Sequence, residues 1–202
     1  MDRNGDPIFP VMPYKQYNQN IDPEDVYSVI AYIRNIPAIE NETPKSKADF
    51  PMNLIMRTIP TDYTPKSKPD TSDLVEYGRY VTALAACADC HTKREKGNLI
   101  MELYMAGGSE FGLPKGGIVR AANITPDKET GIGQLTEDQF VSKFTQWRDE
   151  SKFVPVGDNE FNTIMPWATY AHMTEQDLRA IYQYLMSLKP IPQTVQKFTP
   201  DA

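Results

Sequence analysis

The sequence predicts an all-α protein, and three observations lead to this fold class. Four segments carry apolar residues at helical spacing behind a residue that can cap a helix. No convincing run alternates apolar and polar residues as a half-buried strand would. The stretches 98–134 and 150–170 are rich in loop-forming residues, glycine among them. Helices joined by long loops are therefore expected.

The first predicted helix occupies residues 22–36. Asp22 is its expected N-cap, Pro23 stands at the first helical position, and acidic residues follow in the first turn. Pro37 is expected to end the helix. One face carries the apolar residues Val26, Val29, Ile30 and Ile33.

Three further helices are predicted downstream. The first is TSDLVEYGRYVTALAAC, with a cap at Ser72 or Asp73. The second is TEDQFVSKFTQW, which begins with the form of a capping box. The third is TEQDLRAIYQYLMSL, which is capped at Thr174 and ends before Lys189. The residues expected to face inward are Leu74, Tyr77, Val81, Leu84 and Ala85 on the first, Phe140, Phe144 and Trp147 on the second, and Leu178, Ile181, Leu185 and Leu188 on the third.

Length and charge narrow the class of protein. A chain of 202 residues can hold one or two small domains with a core of their own. The net charge of −6 argues against nucleic acid as a partner. No apolar run approaches the roughly 20 residues that span a membrane, and no export signal is present in the chain.

The chain contains an internal repeat. MPYKQYNQNIDPEDVYSVIAYIRNIPAI at 12–39 is similar to MPWATYAHMTEQDLRAIYQYLMSLKPI at 165–191. The alternative is a pair of unrelated amphipathic helices, but both copies place Met-Pro-aromatic before the helix. Between the copies, residues 40–70 form a segment rich in Pro, Lys and Ser. Its apolar stretch FPMNLIMRTIP is expected to pack on a domain.

The pentapeptide CADCH at 87–91 contains the candidate cofactor-binding residues. Cys87 and Cys90 lie three residues apart on one face of a helical turn, so both thiols can reach the vinyl groups of one haem. His91 then follows directly as an iron ligand. Three alternatives compete: a thioredoxin-like redox pair without the βαβ setting, a zinc site short of ligands, and a disulfide that would close almost no loop.

A haem iron held by one histidine needs a second ligand or keeps an open site. The candidates are Met101, Met105, Met165, Met173 and His172. Met165 is favoured because it stands in a loop, before a proline, just ahead of the last helix. The alternative for Met165 is a methionine of the core. Ligation by His and Met raises the reduction potential and suits electron transfer.

Across about 72–192 the chain resembles a class I cytochrome c domain. Gly78 and Tyr80 precede CADCH where that family crosses its first and last helices, and Tyr184 stands at the matching place on the last helix. More narrowly, YGRYVTALAACADCHT, YMAGGSEFGLP, AANITPDKETGIGQLTEDQF and MPWATYAHMTEQDLRAIYQYL are similar to the cytochrome c subunits of periplasmic dehydrogenases. The resemblance implies one covalent haem c, with His91 as proximal and Met165 as distal ligand.

The resemblance also implies a domain organisation. Such domains occur in tandem, so 1–39 is expected to be a partial cytochrome c-like segment without a haem motif, with Met12 at the distal-ligand position. Residues 40–70 are then a linker and 71–202 a cytochrome c domain with long loops. The chain is expected to be part of a longer dihaem protein. The alternative is a one-haem protein that keeps the first helix as a structural arm.

The resemblance implies an electron carrier of the periplasm or cell envelope of a bacterium, not an enzyme. Its expected partners are a dehydrogenase, a terminal oxidase or another cytochrome, with self-association through residues 1–70 as a further mode. A haem enzyme, such as a dihaem peroxidase or a thiosulfate-oxidising cytochrome, is the alternative, and a haemless interaction domain is the third. Three further residues have two interpretations each: Asn123 and Thr125 as propionate ligands or turn residues, and Trp167 at the haem rim or in the core.

Overall fold

The computed structural model describes residues 14–42, 44, 47–59 and 64–201. The chain divides into two compact units, with the boundary between Lys68 and Pro69. The predicted distal-ligand position Met12 lies outside the described residues. The assignment of 1–39 as a partial cytochrome-like segment and of 40–70 as a linker stays a prediction.

The described residues of the first unit form three helices. Helices α1 (Tyr14–Asn20), α2 (Pro23–Asn35) and α3 (Met52–Ile55) follow in order, and a 3₁₀ turn, Met56–Thr58, extends α3. The predicted cap of α2 is confirmed, because Asp22 Oδ1 accepts a hydrogen bond of 2.9 Å from the Glu24 amide. Its other oxygen accepts from the Lys68 amide at 2.8 Å. Asp22 therefore ties the end of this unit to the start of α2.

The apolar face of α2 is exposed to solvent. Val29 and Ile33 are 54% and 59% exposed, and Tyr32 is 70% exposed. No residue of α2 is fully buried. The buried apolar side chains of the first unit, among its described residues, are Ile21 and Met56.

The second unit contains five helices and three 3₁₀ turns. The caps explain where the longer helices begin: Asp73, not Ser72, accepts from the Glu76 amide, and Thr174 accepts from the Asp177 amide. The capping box is complete, with both bonds formed between Thr136 and Gln139. The helices are α4 (Leu74–Leu84), α5 (Cys87–His91), α6 (Glu137–Thr145), α7 (Trp167–Tyr170) and α8 (Glu175–Ser187), and the turns are Met101–Leu103, Gln146–Arg148 and Glu150–Lys152.

The described residues are mostly helical, as the all-α expectation requires, and they also form a few short strands that the sequence does not indicate. One antiparallel pair and one three-stranded sheet occur in this unit. Each strand has two or three residues, which is too few for an alternating pattern to show in the sequence. The pair is β1 (Arg94–Glu95) with β2 (Asn98–Leu99), and the sheet has the order β3 (Glu110–Gly112), β4 (Ile118–Arg120), β5 (Phe198–Thr199).

Helices α4 and α8 cross in close contact, and a glycine makes the crossing possible. A Cβ at Gly78 would overlap the carbonyl oxygen of Ala180 and lie 2.9 Å from Tyr184 Cβ. The backbones of the two helices therefore touch, and α6 packs against α8 beside them. Most predicted inward residues lie in the resulting core, whereas Leu74 is exposed. The buried residues from the three helices include Tyr77, Tyr80, Val81, Phe140, Phe144, Leu178, Ile181, Tyr184 and Leu185.

The helices of the described part of the chain are short. The longest, α2 and α8, have 13 residues each. Within these residues no helix has both the length and the apolar character needed to cross a bilayer.

Candidate functional site

The two cysteines and His91 lie on one short helix that follows a sharp change of direction. Helix α4 ends at Leu84, and Ala86 has a left-handed backbone with φ of 51°. Helix α5 then runs from Cys87 to His91. The turn places the first thiol at the beginning of a new helical turn and the second one turn later. The structure therefore brings Cys87, Cys90 and His91 together, as the spacing predicts.

Both thiols are free and half-buried. Burial raises the pKa of Cys87 to about 12. Burial, with the charge of Asp89 as a second cause, also raises the pKa of Cys90. A thioredoxin-like redox pair requires a lowered thiol pKa. The environment of these thiols therefore disfavours the redox-pair alternative.

The orientation of His91 is fixed by a backbone carbonyl. Its Nδ1 lies 2.7 Å from the carbonyl oxygen of Ala122. A carbonyl can only accept, so the proton must be on Nδ1. Burial lowers the pKa of His91, while the bond to Ala122 opposes that shift. The ring is therefore neutral, and the lone pair of Nε2 is available to a metal.

The loop around Gly107 supports the backbone of His91. The Gly107 amide donates to the His91 carbonyl oxygen at 2.7 Å. Gly107 has φ of +75°, and a Cβ there would overlap the carbonyl carbon of Ala122. The loop around Gly107 therefore contacts both the backbone of His91 and the residue that orients its ring. Only glycine fits this position.

Asn123 and Thr125 bond to the protein itself. Asn123 Oδ1 accepts from the amide and hydroxyl of Thr125, at 2.9 and 2.8 Å. Its Nδ2 donates to Thr130 Oγ1 at 2.9 Å and to the Ile191 carbonyl at 2.8 Å. Both side chains are buried. Of the two interpretations, the turn is the one that these bonds support.

Met165 lies in the loop that precedes α7. The Met165 amide donates a hydrogen bond of 3.0 Å to the Thr163 hydroxyl oxygen, and the Met165 carbonyl oxygen accepts one of 2.8 Å from the Trp167 amide. The side chain is half-buried and packs against the same hydrophobic core as Cys87. A proline at 166 precedes the helix, so the loop is stiff at this point.

One hydrogen bond joins the Met165 region to the cysteine helix. The Tyr170 hydroxyl donates to the Ala85 carbonyl oxygen at 2.7 Å. Tyr170 ends the short helix after Met165, and Ala85 stands two residues before Cys87. In the sequence, Tyr170 stands out only as a residue of the internal repeat. Its bond to Ala85 could not be predicted, because every residue has a carbonyl oxygen that can accept.

The other candidate ligands have different surroundings. Met101 is 61% exposed, and His172 is also exposed. Met105 is completely buried within the core, and Met173 is half-buried against it. Trp167 packs at tilted angles against Phe144 and Trp147, with ring centroids 5.2 and 6.4 Å apart, so its packing role is the one observed.

A partly buried tyrosine pair lies close to the cysteine helix, and the sequence does not indicate it. The hydroxyls of Tyr104 and Tyr184 are 3.2 Å apart. Burial raises the pKa of Tyr104 far above its usual value, and the bond to Tyr184 adds to that effect. Tyr184 was expected only at the helix crossing.

The donor set fits a haem better than a bare metal ion. Within the described part of the chain no group of three or more His, Cys, Asp or Glu side chains could hold a metal ion. A structural zinc ion needs about four such ligands. Two thiols one helical turn apart and a neutral imidazole beside them match covalent attachment of a haem.

This arrangement matches the pattern of a c-type haem attachment motif, and known proteins with similar sequences are cytochrome c subunits of dehydrogenases. The cytochrome c subunit of alcohol dehydrogenase (quinone) from Gluconacetobacter polyoxogenes is 28% identical over 213 aligned positions, covering 98% of this chain and 44% of the relative. The fructose dehydrogenase cytochrome subunit from Gluconobacter japonicus is 32% identical over 139 positions, 67% of this chain and 25% of the relative.

A third relative is the gluconate 2-dehydrogenase cytochrome c subunit from Pantoea cypripedii, 31% identical over 126 positions that cover 59% of this chain and 24% of the relative. No protein-family profile matches the chain. The chain spans less than half the length of these relatives. The expected resemblance to cytochrome c subunits of dehydrogenases is confirmed.

Proposed function

We propose that the chain is an electron-transfer cytochrome c module with one covalent haem c. Cys87 and Cys90 would form the thioethers, His91 would be the proximal ligand and Met165 the distal ligand. The observation that carries this proposal is the 2.7 Å bond from His91 Nδ1 to the Ala122 carbonyl oxygen, which leaves Nε2 for the iron directly after two thiols one turn apart. The similarity to cytochrome c subunits supports it.

The haem supplies reversible one-electron exchange when it is bound, and the chain supplies its binding and surroundings. Helix α5 places the thiols of Cys87 and Cys90 one turn apart, so both would be able to form covalent links to the group. The Ala122 carbonyl keeps the proton on His91 Nδ1 and increases electron donation from the ring.

The distal side is proposed to be closed by Met165. Its loop is held at one end by the Thr163 hydroxyl and at the other by the bond from Tyr170 to Ala85. These contacts keep the half-buried thioether near the cysteine helix. A thioether stabilises reduced iron better than stronger donors, so His/Met ligation gives the high potential that suits electron transfer.

The fold is proposed to be that of a class I cytochrome c. The contact of α4 with α8 at Gly78 supports this, since it provides the crossing of first and last helices that the family resemblance implies. By the same resemblance, the redox partners are a dehydrogenase, a terminal oxidase or another cytochrome, and the compartment is the periplasm or cell envelope of a bacterium.

Replacing Met165 by alanine tests the ligand assignment. We expect the weak long-wavelength band of sulfur–iron ligation to disappear from the oxidised spectrum. The reduction potential should fall, because water or a stronger donor replaces the thioether. Absorption spectroscopy and potentiometry of the haem-loaded chain measure both effects.

Met173→Ala is the matched control, because Met173 is also a half-buried methionine against the same core. It should keep both the band and the potential. An unchanged spectrum in Met165→Ala, with loss of the band in a variant of another candidate, would contradict the assignment. An iron that binds peroxide in the wild-type chain would favour the haem-enzyme alternative, which needs an open position.

We propose that α2 belongs to a second cytochrome-like unit and that its exposed face mediates self-association of the chain. Helices α2 and α8 each have 13 residues behind an N-cap, so they align without a gap. Four buried positions of α8 correspond to apolar positions of α2, of which three are more than half exposed. The pairs are Leu178 with Val26, Ile181 with Val29, Tyr184 with Tyr32, and Leu185 with Ile33.

Ile33→Glu tests the proposed association. We expect the wild-type chain to sediment as a larger species with rising concentration, because pairing two α2 faces buries their apolar area at roughly 25 cal/mol per Å². Ile33→Glu should sediment as a monomer. Ile39→Glu is the control, since Ile39 is 87% exposed and lies beyond α2. A wild-type chain that stays monomeric at every concentration would show that this face has no such role.

A further inference from the structure

We propose that Gln193 is a positioning residue that clamps together the two loops that hold His91. The proposal rests on the proposed function in taking His91 as the iron ligand. Gln193 lies beyond the end of α8, in the segment that leads to β5. It therefore acts on the haem side through other residues and not by direct contact with the iron.

The two loops approach His91 from different parts of the chain. The first contains Gly107, whose amide donates to the His91 carbonyl oxygen at 2.7 Å. The second contains Ala122, whose carbonyl accepts from His91 Nδ1 at 2.7 Å. The loops also bond to each other, since the Gly108 amide donates to the Ala121 carbonyl oxygen at 2.8 Å. The position of either loop therefore affects the histidine.

The side chain of Gln193 holds the first loop. Its Nε2 donates to the carbonyl oxygens of Ala106 and Gly107, at 3.2 and 3.1 Å. One amide group has two hydrogens, so it can satisfy both acceptors together. Ala106 is completely buried, and a carbonyl in such a place is costly to leave without a donor.

The backbone around Gln193 holds the second loop. The Gln193 amide donates to Thr130 Oγ1 at 3.1 Å, and the same oxygen accepts from Asn123 Nδ2 at 2.9 Å. Asn123 also donates to the Ile191 carbonyl at 2.8 Å. Asn123 follows Ala122 directly. The segment 191–193 therefore joins both loops that carry the partners of His91.

Close packing transmits a movement of the first loop to the histidine. A Cβ at Gly107 would overlap the Ala122 carbonyl carbon and lie 2.5 Å from the Ala121 carbonyl oxygen. Because no space separates these backbones, a shift of Gly107 must displace Ala122. The bond from His91 Nδ1 to Ala122 would lengthen. A weaker bond reduces electron donation from the ring to iron, which disfavours the oxidised state and raises the potential.

Gln193→Met tests this on the haem-loaded full chain, because methionine keeps the length of the side chain and removes both donors. Gln196→Met is the matched control: Gln196 lies three residues further on, is exposed, and its side chain bonds at 3.4 Å to the Phe198 carbonyl of its own segment. We expect Gln193→Met to raise the reduction potential. The Gly107 amide and the His91 Nδ1 proton should exchange with solvent about tenfold faster. Gln196→Met should leave all three measurements unchanged.

If Gln193→Met does not fold, a measurement on the wild-type chain tests the proposal instead. The side-chain amide protons of Gln193 should exchange slowly in NMR spectra, while those of Gln196 exchange rapidly. Equal exchange of the two side chains, or an unchanged potential together with unchanged exchange at Gly107 in Gln193→Met, would overturn the proposal. The failure of the proposed function is distinct, since a haem iron not bound by His91 would leave the potential insensitive while Gln193→Met still accelerated exchange at Gly107.

Discussion

Replacing both Cys87 and Cys90 by alanine is expected to abolish covalent haem attachment. The chain has two cysteines in total, so no other thiol can form a thioether in their place. Alanine is the residue most compatible with a helix, so α5 should form in the variant. The measurement is extraction with acidified acetone after maturation by a haem-attachment system in an oxidising compartment.

The single variants are the controls for this result. Cys87→Ala and Cys90→Ala each keep one thiol, so each can retain one thioether and some haem after extraction. Haem that stays with the double variant through extraction would show that it is attached elsewhere. That result would remove the basis for assigning CADCH as the attachment site.

Gly78→Ala is expected to cause the largest loss of stability of any single methyl addition in α4. Replacing glycine by alanine inside a helix normally raises the stability of the protein by roughly 0.5–1 kcal/mol. Here the new methyl group overlaps the Ala180 carbonyl oxygen, which belongs to the backbone of α8 and cannot rotate away. The helices must separate, and we expect the free energy of unfolding to fall by about 3 kcal/mol.

Urea unfolding followed by circular dichroism measures this effect. Val75→Ala in the first turn of the same helix is the control, because Val75 is 38% exposed and its change should be within about 0.5 kcal/mol. If Gly78→Ala unfolds at the same urea concentration as the wild-type chain, the close crossing of α4 and α8 is wrong.

The longer helices could be predicted from the sequence because their ends carry local signals. The side chains of Asp22, Thr136 and Thr174 each bond to an amide two or three residues further on, and those partners are fixed by sequence distance. The strands could not be predicted in the same way. The pairing of Val119 with Phe198 joins residues far apart in the chain, and strands of two or three residues show no period.

The proposed haem-binding residues Cys87, Cys90 and His91 form a pattern that is visible in the sequence, whereas the residues that support them could not be predicted. Ala122 acts through its backbone carbonyl, and any residue type has one. Tyr170 and Gln193 likewise bond to carbonyls at sequence distances that the folded chain alone determines. The exposure of Ile33 could not be predicted from the sequence either, because an apolar stripe shows which face of a helix can pack but not whether a partner covers it.

The pyridine haemochrome spectrum of the matured wild-type chain, with haem and protein both quantified, tests whether CADCH holds a covalent haem. We expect one haem for each chain and the band position of a haem whose two vinyl groups have both become thioethers, as Cys87 and Cys90 on one turn of α5 require. A folded, matured chain that carries no covalent haem, or whose haem keeps a free vinyl group, would show that this assignment is wrong.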